Sequence, residues 1–311
     1  MEIAGTIALV AGQVALGLIL APLLNGLIKT SKAGWQNRRG PGIAQPWYDL
    51  LKFLGRESVV SEHATWLNRA APTVYFGAHL VALALVPTLL ARSPLGGLGD
   101  VLVLVGLLTL ARFALALAAL DTASNFAGMG TSRELAFAAL VEPALLLALF
   151  ALAIPAGSTA LGALVGPTGV SVARVLALVT LGIVAIAETG RIPIDNPDTH
   201  LELTMAHEGM ILEYSGRPLG LILWAVHLKQ LVLLSLLAAC FFPWGIAREA
   251  TPAALALGLV VYLAKVGLLG LLFGLIESGQ AKLRIFRVPG LLAVASALGL
   301  LAVLSSYVIG G

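Results

Sequence analysis

The stretch Glu188-Thr-Gly-Arg-Ile-Pro-Ile-Asp-Asn-Pro-Asp-Thr-His-Leu-Glu-Leu-Thr-Met-Ala-His-Glu-Gly-Met-Ile-Leu-Glu-Tyr214 gathers six of the chain's 16 acidic residues. They are Glu188, Asp195, Asp198, Glu202, Glu208 and Glu213, in a protein of which only 11% is charged. Carboxylates near hydrocarbon carry a large desolvation cost, so a strongly apolar chain that concentrates them is expected to use them. The alternative is a solvated acidic loop, because Pro193, Asn196 and Pro197 interrupt any continuous helix there.

The apolar context of that stretch decides the class of fold. A hydrophobic fraction of 59% and a mean hydropathy of +0.97 lie far outside the soluble range, which predicts a multi-pass membrane protein. Eight apolar stretches are long enough to cross a bilayer, at about 3–28, 73–91, 100–120, 134–155, 172–188, 219–243, 253–276 and 289–309. The expected fold is therefore all-α, a polytopic membrane helical bundle forming one domain over residues 1–311. Segments 29–72, 121–133, 189–218 and 277–288 hold 13 of the 19 lysines and arginines, whereas the alternate connections hold only Arg92, Arg174 and Arg248. This asymmetry predicts that the four basic segments are cytoplasmic, the first being a large loop, and that both termini are extracytoplasmic. A cytoplasmic (inner) membrane of a bacterium or archaeon is the expected location. The net charge of +3 then reflects loop orientation, and no nucleic-acid binding is inferred.

The three remaining cations, Arg112, Lys229 and Lys265, lie within predicted spans and are expected to pair with acids across the bundle. Glu142 precedes Pro143 in the fourth span; the proline loosens the helix and gives a buried carboxylate room for water. Ser132 is a candidate N-cap for that span, and Glu134 falls near the same face as Glu142. His79, alone in the second span, reads as a packing residue. In the first loop, Trp47, Leu50, Leu51 and Leu54 share one face of a short interfacial helix, which either anchors the chain to the membrane surface or forms a docking floor for a peripheral subunit.

Asp121, Glu134, Glu142, Glu188, Asp195, Glu202, Glu208 and Glu213 thus lie in or beside the same ends of neighbouring spans. Closely spaced carboxylates titrate together over a wide range and so load and release protons stepwise. His200 and His207 titrate near neutral pH and fit the same path, with Lys229 and Lys265; their spacing matches no metal signature. The single cysteine, Cys240, leaves no ligand set for an iron-sulfur cluster, so any redox cofactor is expected on a partner chain. No phosphate loop, catalytic triad, nucleotide fingerprint or internal repeat is present in the sequence.

Several motifs resemble the membrane subunit 1 family of respiratory complex I, the subunit that joins the redox arm to the membrane arm. They are Glu188-x-x-Arg191-x-Pro193-x-Asp195 with Glu202-Leu203 and Glu213-Tyr214, then Arg38-Arg39-Gly40-Pro41 with Gln45-Pro46-x-x-Asp49-x-x-Lys52, Ser132-Arg133-Glu134 and Glu142-Pro143. Two departures point to a branch: few residues separate Pro41 from Gln45, and Asp198 and His200 stand where quinone-reducing members usually carry glutamates. The short gap, with Leu120-Asp121-Thr122, Tyr214-Ser215-Gly216 and Leu228-Lys229-Gln230-Leu231, is similar to the membrane subunit of energy-converting nickel-iron hydrogenases of the formate hydrogenlyase and hydrogenase-4 type. In complex I the first loop helps frame the quinone cavity, so its shortening counts against a quinone site.

The resemblance implies hydrogenase-like large and small subunits, an iron-sulfur subunit and antiporter-like membrane subunits as partners, with the iron-sulfur clusters and nickel-iron centre held by them. It implies the acidic residues as proton carriers, Arg112, Arg133 and Arg191 as charge partners, and Lys229 as a link toward the antiporter-like neighbours. It also implies Arg38, Arg39, Asp49 and Lys52 as docking residues. The rival readings are a quinone-site subunit of an NADH-quinone oxidoreductase, a stand-alone ion transporter and a passive membrane anchor.

Overall fold

A helix that is apolar on every side has to be surrounded by protein or lipid, and the eight apolar stretches do form helices packed into one bundle. The computed structural model describes residues 2–61, 64–91, 95–166, 169–195 and 206–309, and no β-strand occurs among them. The helices are α1 (Glu2–Trp35), α2 (Gln45–Leu54), α3 (Trp66–Leu85), α4 (Val101–Asp121), α5 (Asn125–Ala156), α6 (Leu161–Leu164), α7 (Val172–Glu188), α8 (His207–Ile211), α9 (Gly216–Phe241), α10 (Pro252–Gly279) and α11 (Val288–Ile309). Among the described residues six segments are long and apolar enough to cross a membrane: Gly5–Trp35, α4, α5, α9, α10 and Ile285–Val308. The other two expected spans fall outside that group. Helix α3 is diluted by Asn68, Arg69 and His79, and α7 is only 17 residues long.

Local sequence sets where several of these helices begin. Thr65 accepts from the Leu67 amide at the start of α3, Asp100 from Leu102 at the start of α4, and Ser171 from Arg174 at the start of α7. Thr251 caps α10, whose first residue is Pro252, where the missing amide hydrogen is no loss. Helix α5 corrects the sequence reading. It starts at Asn125 after Ser124, not at Ser132, so most of the expected loop 121–133 is helical. Thr131 turns its hydroxyl onto the Ala127 carbonyl, and the helix runs through Gly128 and Gly130 without a break.

The centre of the bundle is α9, in which every residue from Leu228 to Cys240 is buried. It packs against α1, α2, α3, α7 and α10, while α11 covers α5 and α7. Contacts sort the connections into two ends. At one, Tyr214 donates its hydroxyl to the Asn68 carbonyl (3.1 Å), Leu283 donates its amide to Pro193 (2.8 Å) and Lys32 meets Glu277 (3.4 Å). At the other, Ala91 donates to the Ala247 carbonyl (3.0 Å), Thr159 bonds Asp100, and Arg174 donates to the Cys240 carbonyl (2.5 Å). Asp121, which accepts from the Thr65 amide (2.7 Å), joins the first end too, so the described parts of the four basic segments share one end of the bundle.

The first loop folds back onto that end. Trp47 donates to the Ile19 carbonyl (3.1 Å) and packs edge-on against Trp224, with centroids 5.4 Å apart; Arg217 reaches the Leu54 carbonyl (3.2 Å). Leu50 is buried, but Leu51 is 59% exposed, so the apolar face of α2 is narrower than its spacing suggests. Gly216 opens α9 in the left-handed region (φ 54°), and a Cβ there would lie 2.3 Å from the Glu57 carbonyl oxygen, so the loop packs where no side chain fits.

Candidate functional site

Helix α4 turns Leu108, Ala111, Arg112, Leu115 and Ala119 into the protein, a helical period that carries Arg112 into the interior along with the apolar residues. A buried guanidinium needs several acceptors, and Arg112 finds them on two other helices. Its Nη1 bonds Glu142 of α5, its Nη2 bonds Glu188 at the last position of α7, and its Nε lies 3.6 Å from Glu134 of α5. The second oxygen of Glu188 is 3.9 Å from Lys229 Nζ of α9. Three carboxylates and two cations from four helices therefore meet in one cluster. Burial is graded across it, from a Glu188 side chain at 2% exposure to Glu142 at 28%.

A second network lies on an adjacent face of α9. Arg191, just beyond α7, donates to Glu277 of α10 (3.0 Å) and to Gln230 Oε1 (2.8 Å). Lys32 of α1 approaches the same Glu277 at 3.4 Å, and Asn25 donates to Gln230 (3.3 Å). Nearby, Asp195 pairs with Lys282 (2.7 Å) and accepts from the Ala206 amide (3.3 Å). Sequence reasoning missed Glu277, Lys32, Asn25 and Gln230 as partners. One signal was available, since Glu277 is the only acid after Glu249 and stands at the end of an apolar stretch.

Helix α8 brings His207 and Glu208 toward the first cluster. It crosses α5 where Gly130 and Gly209 meet: a Cβ on Gly130 would lie 2.8 Å from the Ala206 oxygen and 3.1 Å from Gly209 backbone atoms. The crossing shields His207, and that burial, with the positive charges of Lys229 and Arg112, pushes its pKa down to about 3, which corrects the near-neutral titration expected of it from sequence. Farther out, burial and the Asp121 carboxylate raise the Tyr214 phenol above its ordinary value.

Residues 7–306 match the family model described as NADH dehydrogenase. The chain belongs to that family. Within reach of the NADH dehydrogenase family it is 38% identical over 275 residues to formate hydrogenlyase subunit 4 of Escherichia coli (strain K12), covering 87% of this chain and 89% of the relative. It is 39% identical over 274 residues to hydrogenase-4 component C of the same organism, covering 87% and 86%. NADH-quinone oxidoreductase subunit 8 of Rhodothermus marinus is 28% identical over 221 residues, covering 66% and 62%. A chain from the membrane-bound sulfane sulfur reductase, described as an archaeal respiratory membrane complex, shares the fold with a TM-score of 0.79 at 20% identity over 96% of this chain and 99% of that one.

Not every residue singled out from the family motifs or from sequence joins the clusters. Lys265 contradicts the expected carboxylate pairing: its ammonium donates to the Phe242 carbonyl (2.5 Å) and to that of Trp244, and lies 4.5 Å from the Trp244 ring centroid at the opposite end of the bundle. Phe242 caps the end of α9 and Trp244 lies in the turn just beyond it, and the ammonium is satisfied by their carbonyls in place of an acid. Asp121 is likewise outside the row. It accepts from the Thr65 amide (2.7 Å) and hydroxyl (2.8 Å), joining the first loop to the end of α4.

Glu213 is exposed and lines a cavity of about 360 Å³ with Asn68 and Arg69, away from Arg112. Arg133 borders an open groove with Ser124 and Asn125. Arg38, Arg39, Asp49 and Lys52 are all exposed; Asp49 accepts from Gln45 (2.9 Å) and Lys52 lies over the Phe53 ring. Asp198, His200 and Glu202 lie outside the described residues.

Proposed function

We propose that this chain is the membrane subunit of a hydrogenase-type, complex I-like assembly, joining a cytoplasmic redox arm to a membrane arm and coupling electron transfer to proton translocation. One observation carries the reading: Arg112 holds Glu134, Glu142 and Glu188 from two helices, and Glu188 shares its other oxygen with Lys229. Fully ionised, the cluster has three negative and two positive charges, a net of −1 in a low-dielectric interior. A single proton neutralises it, and its affinity for that proton depends on any charge that changes nearby. Reduction of a centre in a docked partner is such a change. The graded exposure from Glu188 to Glu142 outlines a path for that proton between the protein interior and the flank of α5.

In this reading eight helices cross the bilayer, with α3 and α7 completing the six longer ones, and both termini are extracytoplasmic. The basic end faces the cytoplasm of a bacterial or archaeal inner membrane, where exposed Arg38, Arg39, Asp49 and Lys52 meet hydrogenase-like large and small subunits and an iron-sulfur subunit. Antiporter-like subunits flank the membrane part. The chain's single cysteine, Cys240, is buried, so its own residues do not fit an iron-sulfur cluster; the clusters and nickel-iron centre belong to those partners. Identities of 38% and 39% to the hydrogenase relatives, against 28% to the quinone-type one, favour the hydrogenase branch over a quinone site.

The test is Glu188→Gln and Glu142→Gln in the complete complex reconstituted in lipid vesicles. Each is expected to leave assembly intact and to cut proton translocation by about a hundredfold, the scale of a lost proton-transfer group. Wild-type translocation in both variants would refute the reading and leave the passive anchor.

A further inference from the structure

Tyr75 and His79 lie one turn apart on α3, buried to 2% and 1% exposure. Their rings meet edge to face with centroids 4.6 Å apart, and the His207 ring of α8 stands 6.3 Å from that of Tyr75. His79 Nδ1 is 2.7 Å from the Tyr75 carbonyl oxygen. A carbonyl only accepts, so Nδ1 carries the hydrogen and Nε2 of the neutral ring presents a lone pair. That Nε2, the Tyr75 hydroxyl and His207 Nε2 are all buried and meet no hydrogen-bonding group among the described residues.

Packing explains the ring contacts but not three unmatched polar ends gathered around one tyrosine. Buried polar atoms are nearly always satisfied, by protein or by ordered water, and these three combine donor and acceptor capacity. The surroundings are charged in a specific way. Glu134, Glu188, Arg112 and Glu208 act electrostatically on Tyr75, and Lys229 and Arg112 act on both histidines. The trio thus stands between the α8 turn and the Arg112 cluster.

We propose that Tyr75, His79 and His207 line a small hydrated pocket that relays protons between the His207–Glu208 turn and the Arg112 cluster. The inference rests on the proton-coupling function above and adds to it a route of entry. Its parts differ chemically. The Tyr75 hydroxyl accepts a proton on oxygen as it releases its own, so it passes charge through without keeping it. His79 takes a proton at Nε2 to become imidazolium while Nδ1 keeps its own hydrogen and donates it to the Tyr75 carbonyl, so it returns that proton from the same nitrogen. It is a holding site beside the path, whereas Tyr75 is the path.

The complete complex in lipid vesicles tests this with Tyr75→Phe, which removes the hydroxyl and keeps the ring, and with His79→Leu. Tyr75→Phe is expected to assemble normally, lower proton translocation about tenfold and raise the solvent deuterium isotope effect on turnover. His79→Leu is expected to have a smaller effect in the same direction. A high-resolution map of the wild-type complex should show water within hydrogen-bonding distance of all three atoms. A dry pocket, or wild-type translocation in both variants, overturns the relay. If Glu188→Gln uncouples while these two do not, only the relay fails; if Glu188→Gln also couples normally, the function itself is wrong.

Discussion

Lys229 and Lys265 are both lysines set within apolar helices, each only 6% exposed, yet they do different things. Lys229 faces Glu188 across the bundle and belongs to a cluster whose charge changes with one proton. Lys265 faces the carbonyls of Phe242 and Trp244 and closes the end of a neighbouring helix. The same contrast divides the whole molecule. In the basic half, the buried charges meet one another across helices; in the other half, Asp100, Arg174 and Lys265 satisfy hydroxyl and backbone groups at helix ends. A buried charge in a span therefore marks a place where something must be satisfied, and the neighbour decides whether the result is chemistry or architecture.

The contrast breaks most visibly at Arg112. Arg112→Ala leaves three carboxylates without their shared cation, and the expected loss is about 3–5 kcal/mol, read as failure of the complex to accumulate or a sharply lower melting temperature. The lysine pair sharpens it directly. Lys229→Met should abolish proton translocation in vesicles, whereas Lys265→Met should keep translocation and lower thermal stability by about 1–3 kcal/mol through the lost charged hydrogen bonds. If both lysines behave alike in transport, the division between the halves is wrong.

Smaller effects probe how the acidic side is held together. Gly130→Ala drives a methyl group against the Ala206 carbonyl and should cost about 1–3 kcal/mol, measured by thermal unfolding, because backbone rather than a flexible side chain must move. His207 provides a pH signature. Its folded pKa of about 3 lies below the unfolded value near 6.5, so its contribution is complete above pH 6.5 and is lost progressively as pH falls toward 3. Lowering the pH from about 7.5 to about 5 should remove roughly 2 kcal/mol of stability, and His207→Gln should flatten that part of the profile. Asp121→Ala, which releases the Thr65 contacts, should cost about 1 kcal/mol and leave transport unchanged.

Much of this was legible in the sequence because the chain is so apolar that each polar residue stands out. Arg112 deep in a run of leucines and alanines had to meet acids, and the grouping of basic segments anticipated which connections share an end. What stayed hidden depended on tertiary neighbours. Segment 121–133 read as a loop ending at a Ser132 cap, but the helix starts at Asn125, and α8 crosses it at Gly130, where the missing side chain is what lets it approach. The partner of Lys265 was invisible because backbone carbonyls are present at every residue and carry no sequence signal. Glu277 was overlooked because it lies outside the acidic stretch, although Arg191 from that stretch is bound to it. His79 looked like ordinary packing, and Tyr75 carried no signal of its own, until α8 brought His207 beside them.

Lys229 and Gln230 are consecutive on α9, and successive positions on a helix point about 100° apart. One faces the Glu188 carboxylate and the other the Arg191 guanidinium. Turning this helix about its axis moves both side chains at once, so neither network can be retuned by such a motion without disturbing the other.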